Sequence, residues 1–205
     1  MFSNCKLAIV SAIAFTSARA ELKPGKCPVR DQNFSKAEFD ARSMAGLWFE
    51  YVWDQEFAME YFYKCSTWIV LSDEESQGPG SYVVYNNLIF PSESEEEGAE
   101  DDISYMKFNL KWDAKTDDGQ LARASYTRIN EDEKEYTMPE ANINFIDTDY
   151  HSYVVGTQCI EKDGQHEEGY FVWTREKSPS MYMRRRARNA LLALGVEPAE
   201  RMVKG

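Results

Sequence analysis

Ala45-Gly46-Leu47-Trp48-Phe49-Glu50-Tyr51-Val52 is the stretch from which the rest of the chain is read. A glycine, one spacer and a tryptophan open an apolar run that follows a polar N-terminal segment. Gly46 allows the backbone a tight turn. Trp48 is large enough to plug the closed end of a small barrel, where its indole N–H needs one partner. The stretch therefore predicts the first strand of a closed β-barrel, although by itself it fits any strand with a core tryptophan.

Working outward, strand-like segments rich in β-branched and aromatic residues recur at 47–54, 63–72, 81–90, 102–113, 120–130, 140–148, 151–161 and 168–176. Turn-rich or acidic segments separate them, the spacing of an up-and-down barrel. Ser76-Gln77-Gly78-Pro79-Gly80 reads as a hairpin turn, and 91–102 as an acidic, solvated loop at the barrel mouth. Beyond Arg175 the period changes. Lys177-Ser178-Pro179-Ser180 is a helix entry, and Met183, Ala187, Leu191 and Leu194 recur at helical spacing up to Gly195, a natural C-terminal cap. The expected fold is all-β: an eight-stranded antiparallel up-and-down barrel over about 46–176, with one amphipathic helix over about 180–194 packed outside. The other helical face carries Arg184, Arg185, Arg186 and Arg188, a cluster for acidic loops, an anionic partner, a basic-site protease or solvent.

Residues 1–20 read as a secretion signal, with Lys6, the apolar run Leu7 to Phe15, and Ser17-Ala18-Arg19-Ala20 at the cleavage positions. No later stretch approaches the roughly 20 apolar residues of a spanning helix, so no stable membrane insertion is expected. Removing Lys6 and Arg19 with the signal takes the net charge from -12 to -14. Nucleic acid and anionic membrane surfaces repel such a chain. The expected mature protein, 21–205, is one extracellular domain. Asn33-Phe34-Ser35 is a glycosylation sequon in that setting, making Asn33 a candidate acceptor. Cys5 leaves with the signal, so Cys27, Cys65 and Cys159 remain, an odd number.

Two later stretches agree with the first. Asp147-Thr148-Asp149-Tyr150-His151-Ser152-Tyr153-Val154-Val155 resembles the T-D-Y turn between strands six and seven of a lipocalin, and Phe171-Val172-Trp173-Thr174-Arg175 resembles that family's last barrel strand. The motif residues Gly46, Trp48, Thr148, Asp149, Tyr150 and Arg175 occur in the family's order. Lys26-Cys27-Pro28 and Phe39-Asp40 are most similar to the apolipoprotein D and bilin-binding branch, and the resemblance covers about residues 26 to 203. It implies that Arg175 stacks over Trp48 and that Cys27 pairs with Cys159. Relatives join the Cys65 position to a C-terminal cysteine, but this chain ends Arg201-Met202-Val203-Lys204-Gly205. Cys65 is then left as a free thiol or as a link to a second copy, giving a homodimer.

The sequence offers no convincing catalytic constellation. Its two histidines, His151 and His166, are not spaced as metal ligands, and it has no nucleophile elbow, phosphate-binding loop or H-E-x-x-H. Neither a metal nor a cofactor is expected. The preferred reading is a binding protein, not an enzyme, which holds one small hydrophobic molecule inside the barrel. The resemblance implies a lipid, retinoid, sterol, carotenoid or bilin. Placing Cys65 outward and extending the alternation gives Trp68, Val70, Asn86, Leu88, Met106, Phe108, Asn144, Ile146 and Val154 as wall residues. Asn144 departs from close relatives, which place a tryptophan there. Two alternatives stand beside this reading. Lipocalin-type prostaglandin D synthases keep their nucleophile as a lone thiol on a barrel strand, so Cys65 could serve an isomerase if it faced inward. A ligand-free interaction protein would instead fill the barrel with its own aromatics.

Overall fold

The computed structural model describes residues 22–28, 40–54, 65–77, 81–90, 102–112, 122–129 and 135–204. The expected secretion signal 1–20, Asn33 and, but for Asp102, the expected acidic loop 91–102 lie outside the described residues. Among the described residues there are ten strands: β1 (Lys23–Pro24), β2 (Gly46–Asp54), β3 (Cys65–Ser72), β4 (Ser81–Phe90), β5 (Asp102–Trp112), β6 (Ala122–Ile129), β7 (Glu135–Thr148), β8 (Tyr153–Lys162), β9 (Gln165–Thr174) and β10 (Met202–Lys204). A 3-10 turn over Ala41–Met44 precedes β2, and three helices follow in order: α1 (Glu74–Gln77), α2 (Met181–Ala193) and α3 (Pro198–Arg201).

Strands β2 to β9 pair with their neighbours in sequence order, all antiparallel, and β9 returns to pair with β2. That last pairing closes the barrel, so these eight strands have no free edge between them. The short strands β1 and β10 add to the outside of β9 and β2. The helical turn α1 occupies the connection between β3 and β4, just before Gly78-Pro79-Gly80. Sequence reading gives only a turn there, because a single helical turn leaves too few residues to show a period.

Alternation along the strands sorts the side chains into two apolar clusters. Inside lie Trp48, Trp68, Val70, Tyr82, Val84, Leu110, Ala141, Ile143, Phe145, Val154, Phe171 and Trp173, with Met44 beneath. Outside, Tyr153, Val155, Tyr170 and Val172 meet Met183, Ala187, Ala190 and Leu191 of α2. Helix α2 begins at Ser180, whose hydroxyl accepts from the Met183 amide at 3.3 Å, and it ends before Gly195, whose φ is 79°. Both ends are therefore capped as the sequence implies.

Two register irregularities decide which side chains face the interior. In β2 a bulge falls between Glu50 and Val52. It leaves Trp48, Glu50 and Trp53 on the inner face, with Trp53 directly opposite Phe171. In β7 a second bulge lies between Phe145 and Asp147. Counting back from Val154 and its partner Thr148 would turn Ile146 and Asn144 inward. The extra residue reverses the parity, and Ile143 and Phe145 face inward instead.

The Cys27–Cys159 disulfide is present. It joins the N-terminal arm to the outer face of β8 across a sequence separation of 132, worth roughly 5 kcal/mol on the chain-entropy model. The arm is held further by the Cys27 amide on Glu161 Oε1 at 2.9 Å and by His166 Nδ1 on the Gly25 carbonyl at 3.2 Å. In the 205-residue chain Cys65 is disulfide-bonded, and no described cysteine is free; the expected leftover thiol belongs to the chain without residues 1–20, which lie outside the described residues.

Candidate functional site

One end of the barrel is sealed by three segments far apart in sequence. Trp48 is fully buried, and its indole N–H donates to the Met44 carbonyl at 2.8 Å, so the 3-10 turn acts as a floor. The Arg175 guanidinium lies over the Trp48 ring, 3.6 Å from its centroid. Its nitrogens donate to the carbonyls of Leu47 at 2.9 Å, Ala45 at 2.8 Å, Ser43 at 3.2 Å and Tyr150 at 3.4 Å. Gly46 explains how the arginine comes so close. Its φ is 106°, and a Cβ there would stand 2.9 Å from Arg175 Nη1. Burial lowers the pKa of Arg175 from its ordinary value.

The turn Thr148-Asp149-Tyr150 completes the seal. Thr148 Oγ1 donates to the Tyr153 carbonyl at 2.7 Å and accepts from the Tyr150 amide at 2.9 Å. Tyr150 takes a positive φ of 63°, which these bonds hold in place. Asp149 accepts from the amides of His151, Ser152 and Tyr153 and from the Ser152 hydroxyl. Burial pushes the Asp149 pKa up, but the bonds from Ser152, Tyr153 and His151 outweigh it, and the net shift is downward. Tyr150 Oη accepts from the Asp40 amide at 3.1 Å, tying the turn back to the segment before β2.

Deeper in the barrel an aromatic stack replaces this polar seal. Trp68 stacks on Trp173 with centroids 4.6 Å apart, and Trp173 stacks on Phe171 at 4.5 Å. Phe145 meets both Trp173 and Phe171 edge-on, at 6.1 and 6.2 Å. Gly156 faces Phe145 across β7 and β8, and a Cβ there would collide with the Phe171 ring. Below the stack, Met44, Val70, Tyr82, Val84, Leu110, Phe145 and Trp173 enclose a gap of about 10 Å³, room for one water at most. Burial raises the pKa of the Tyr82 hydroxyl that lines this gap.

The sequence-derived wall residues divide accordingly. Trp68, Val70 and Val154 belong to the interior cluster. Asn86 and Leu88 are buried on the same inner rows, opposite Trp68 and Ser66. The side chains of Met106 and Phe108 lie outside the described residues; their backbones pair with Asn86 and Val84. Asn144 is a correction. It pairs with Thr157, which pairs with Tyr170 of the outer cluster, so Asn144 faces away from the interior. Ile146 sits at the β7 bulge, buried but apart from the interior cluster. The alternation omits Ile143, Phe145, Phe171 and Trp173, all interior. A glycine opposite aromatics, Gly156, was the available signal for two of them.

Asn86 is the most exactingly placed polar group of the interior. It is fully buried, and its Nδ2 donates to Ser66 Oγ at 2.7 Å and to the Thr67 carbonyl at 3.2 Å, while Oδ1 has no hydrogen-bond partner. The buried indole N–H of Trp173 likewise has none. Each such group costs about 1 to 3 kcal/mol if nothing serves it. Glu50, opposite Trp173, adds a buried carboxylate.

Outside the barrel, Asp147 accepts from the Tyr153 hydroxyl at 2.8 Å and pairs with Arg186 of α2 at 3.5 Å. Burial and the bond to Asp147 raise the Tyr153 pKa. Arg188 pairs with Glu197 at 3.6 Å, and Arg184 donates to the Pro179 carbonyl at 2.8 Å. Much of the arginine cluster therefore braces the helix within the chain. No group of metal-ligating side chains occurs among the described residues.

A closed eight-stranded barrel with a tryptophan–arginine seal at one end and a helix on its flank is the lipocalin fold. Solved structures of that fold match over most of the chain. They include apocrustacyanin C2, at 20% identity over 89% of each chain with a TM-score of 0.63. Insecticyanin from the tobacco hornworm Manduca sexta matches at 18% identity, over 91% of this chain and 88% of that one, with a TM-score of 0.62. The amine-binding protein of Rhodnius prolixus, in its tryptamine complex, matches at 16% identity, over 85% and 84%, with a TM-score of 0.65. No family model and no curated protein sequence matches the chain.

Proposed function

We propose that the protein is a secreted lipocalin of the apolipoprotein D and bilin-binding branch that carries one small hydrophobic molecule inside its barrel. The observation that carries this reading is the interior itself: a barrel sealed at one end by Trp48 and Arg175, with an aromatic wall of Trp68, Trp173 and Phe171 above the seal. A flat or elongated apolar molecule can bury its surface against such a wall. Trp68, Val70, Asn86, Leu88 and Val154 line it, with Met106 and Phe108 on the adjoining rows. That the Rhodnius prolixus protein of this fold is named for amine binding supports a small-molecule role. The branch rests on Lys26-Cys27-Pro28 and Phe39-Asp40, and secretion on residues 1–20 together with the Cys27–Cys159 bridge. Asn33 is a glycosylation acceptor in this reading.

Catalysis through Cys65 loses its support. Cys65 lies on the outer face of β3, since Ser66, Trp68 and Val70 are the buried positions of that strand, and an outward sulfur does not reach a molecule inside the barrel. A second reading, the ligand-free interaction protein, draws on the gap beside Phe145 and Trp173, which among the described residues measures about 10 Å³.

Titration decides between the two. Trp68 fluorescence should quench or shift as a retinoid, a fatty acid or a bilin is added, saturating near one equivalent. Trp68→Ala should weaken binding by a few kcal/mol at most, because one wall residue supplies part of the buried area. If no member of a broad hydrophobic panel binds below about 100 micromolar, equivalent to roughly 5.5 kcal/mol, the interaction reading replaces the carrier.

A further inference from the structure

We propose that the outer face of β2, β3 and β4, near the sealed end of the barrel, is an interface on which a second copy of this chain docks.

The strand ladders set six apolar side chains side by side there. Leu47 pairs with Ile69, Ile69 with Tyr85, and Leu71 with Val83, while Phe49 stands one outward position along from Leu47. Their inner neighbours Trp48, Trp68, Val70 and Val84 are buried in the barrel, so alternation turns all six outward. Leu47 is 44% exposed, Leu71 46% and Tyr85 38%. Among the described residues, every large apolar side chain left exposed on a strand belongs to this face. The outward positions of β3 and β4, and of β2 up to its bulge, carry no charge at all, in a chain of which 28% of residues are charged. The other apolar outer face, on β8 and β9, is covered by α2.

Charge at the rim selects the occupant. On the β2 flank, Lys177 Nζ lies 5.5 Å from the centroid of the Phe49 ring, and on the β5 flank Lys107 stands directly across from Tyr85. The end beyond Leu71 is acidic instead, with Asp73, Glu74 and Glu75 in succession, of which Arg42 offsets Glu74 at 3.1 Å. Twisted sheets that pack face to face have two solutions, one nearly aligned and one nearly at right angles. In the second, a two-fold axis lays the end of each face over a flank of the other, so the acidic end of one copy meets a lysine flank of its partner, and the contact is made twice. The face is therefore complementary to itself: uncharged at the centre that is desolvated, and opposite in charge where its own rim returns. An anionic lipid surface would be repelled by the acidic end. A standard interface takes about 800 Å² from each partner, more than six side chains supply, so the rim takes part and the dimer is weak.

Sedimentation velocity of the intact protein, from about 1 to about 200 micromolar, tests the inference. The wild type should pass reversibly from monomer to dimer, half associated at tens of micromolar. Leu71→Asp and Tyr85→Asp, both at exposed positions, should each raise the dissociation constant at least about tenfold, and Met181→Asp, at the 82% exposed start of α2, should leave it unchanged. Hydroxyl-radical footprinting needs no variant: labelling of Leu71 and Tyr85 should fall at the high concentration relative to that of Met181. A wild type that stays monomeric throughout overturns the inference. A dimer indifferent to both β-face substitutions, or one in which footprinting protects Met181 in place of Leu71 and Tyr85, overturns it as well. A monomer that instead floats with phosphatidylcholine vesicles would give the face to a lipid surface and not to a second copy.

Discussion

Trp48 and Trp173 are both buried in the same barrel, yet their indole nitrogens are treated in opposite ways. At the sealed end the Trp48 N–H meets the Met44 carbonyl, and Arg175 covers the ring while it donates to four backbone carbonyls. In the middle of the barrel the Trp173 N–H and the Asn86 carbonyl oxygen have no partner. On the proposed function, the difference separates structural packing from a binding surface. Where the fold needs only to be closed, its polar groups are satisfied within the chain. Amid the stacked aromatics the described residues leave the Trp173 N–H and Asn86 Oδ1 unsatisfied.

Substitutions can break this contrast. The largest effect is expected from Arg175→Ala, which removes the cation–π contact and the charged hydrogen bonds together. Stability measured by urea unfolding should fall by about 3 kcal/mol, with ligand choice unchanged. If the variant keeps its melting temperature but loses binding, the sealed end belongs to the pocket and the barrel has been read upside down.

Gly156→Ala should follow. Its methyl group would press on Phe171 and stand 2.9 Å from the Asn144 carbonyl oxygen. Because Phe171 stacks on Trp173, the expected loss of about 2 kcal/mol should come with altered binding, unlike that of Arg175→Ala. Intact binding at reduced stability would show that the stack is structural only.

Asp149→Ala should cost least, about 1 kcal/mol, by analogy with the loss of a capping carboxylate. The pH dependence has a definite sign. The Asp149 pKa is lowered in the fold, so its contribution is present above the unfolded value of about 3.9 and disappears as pH falls through the folded value. Wild type and Asp149→Ala should therefore converge in stability on acidification. A difference that persists at low pH would assign the effect to the turn backbone and not to the carboxylate.

The sealed end was legible in the sequence because it is made of local motifs. Gly46, Trp48, Thr148 and Arg175 each sit in a short stretch whose spacing survives whatever the loops do, and the structure brings those stretches together. The interior was only half legible. Alternation places Trp68, Val70 and Asn86 correctly along β3 and β4, whose ladder runs without interruption. It fails at Asn144 because a bulge adds one residue between Phe145 and Asp147, and one residue is enough to turn a strand over. Nothing local in Asn142-Ile143-Asn144-Phe145-Ile146 announces that bulge.

The central claim is that the middle of the barrel holds a small apolar molecule. Native mass spectrometry of the protein isolated from its source, followed by organic extraction, tests it most directly. The expected result is a mass in excess of the polypeptide and its modifications by one equivalent, lost on extraction and recovered as a single hydrophobic compound. A protein that flies at its bare mass, yields nothing to solvent and gains no adduct when the hydrophobic panel is added would contradict it.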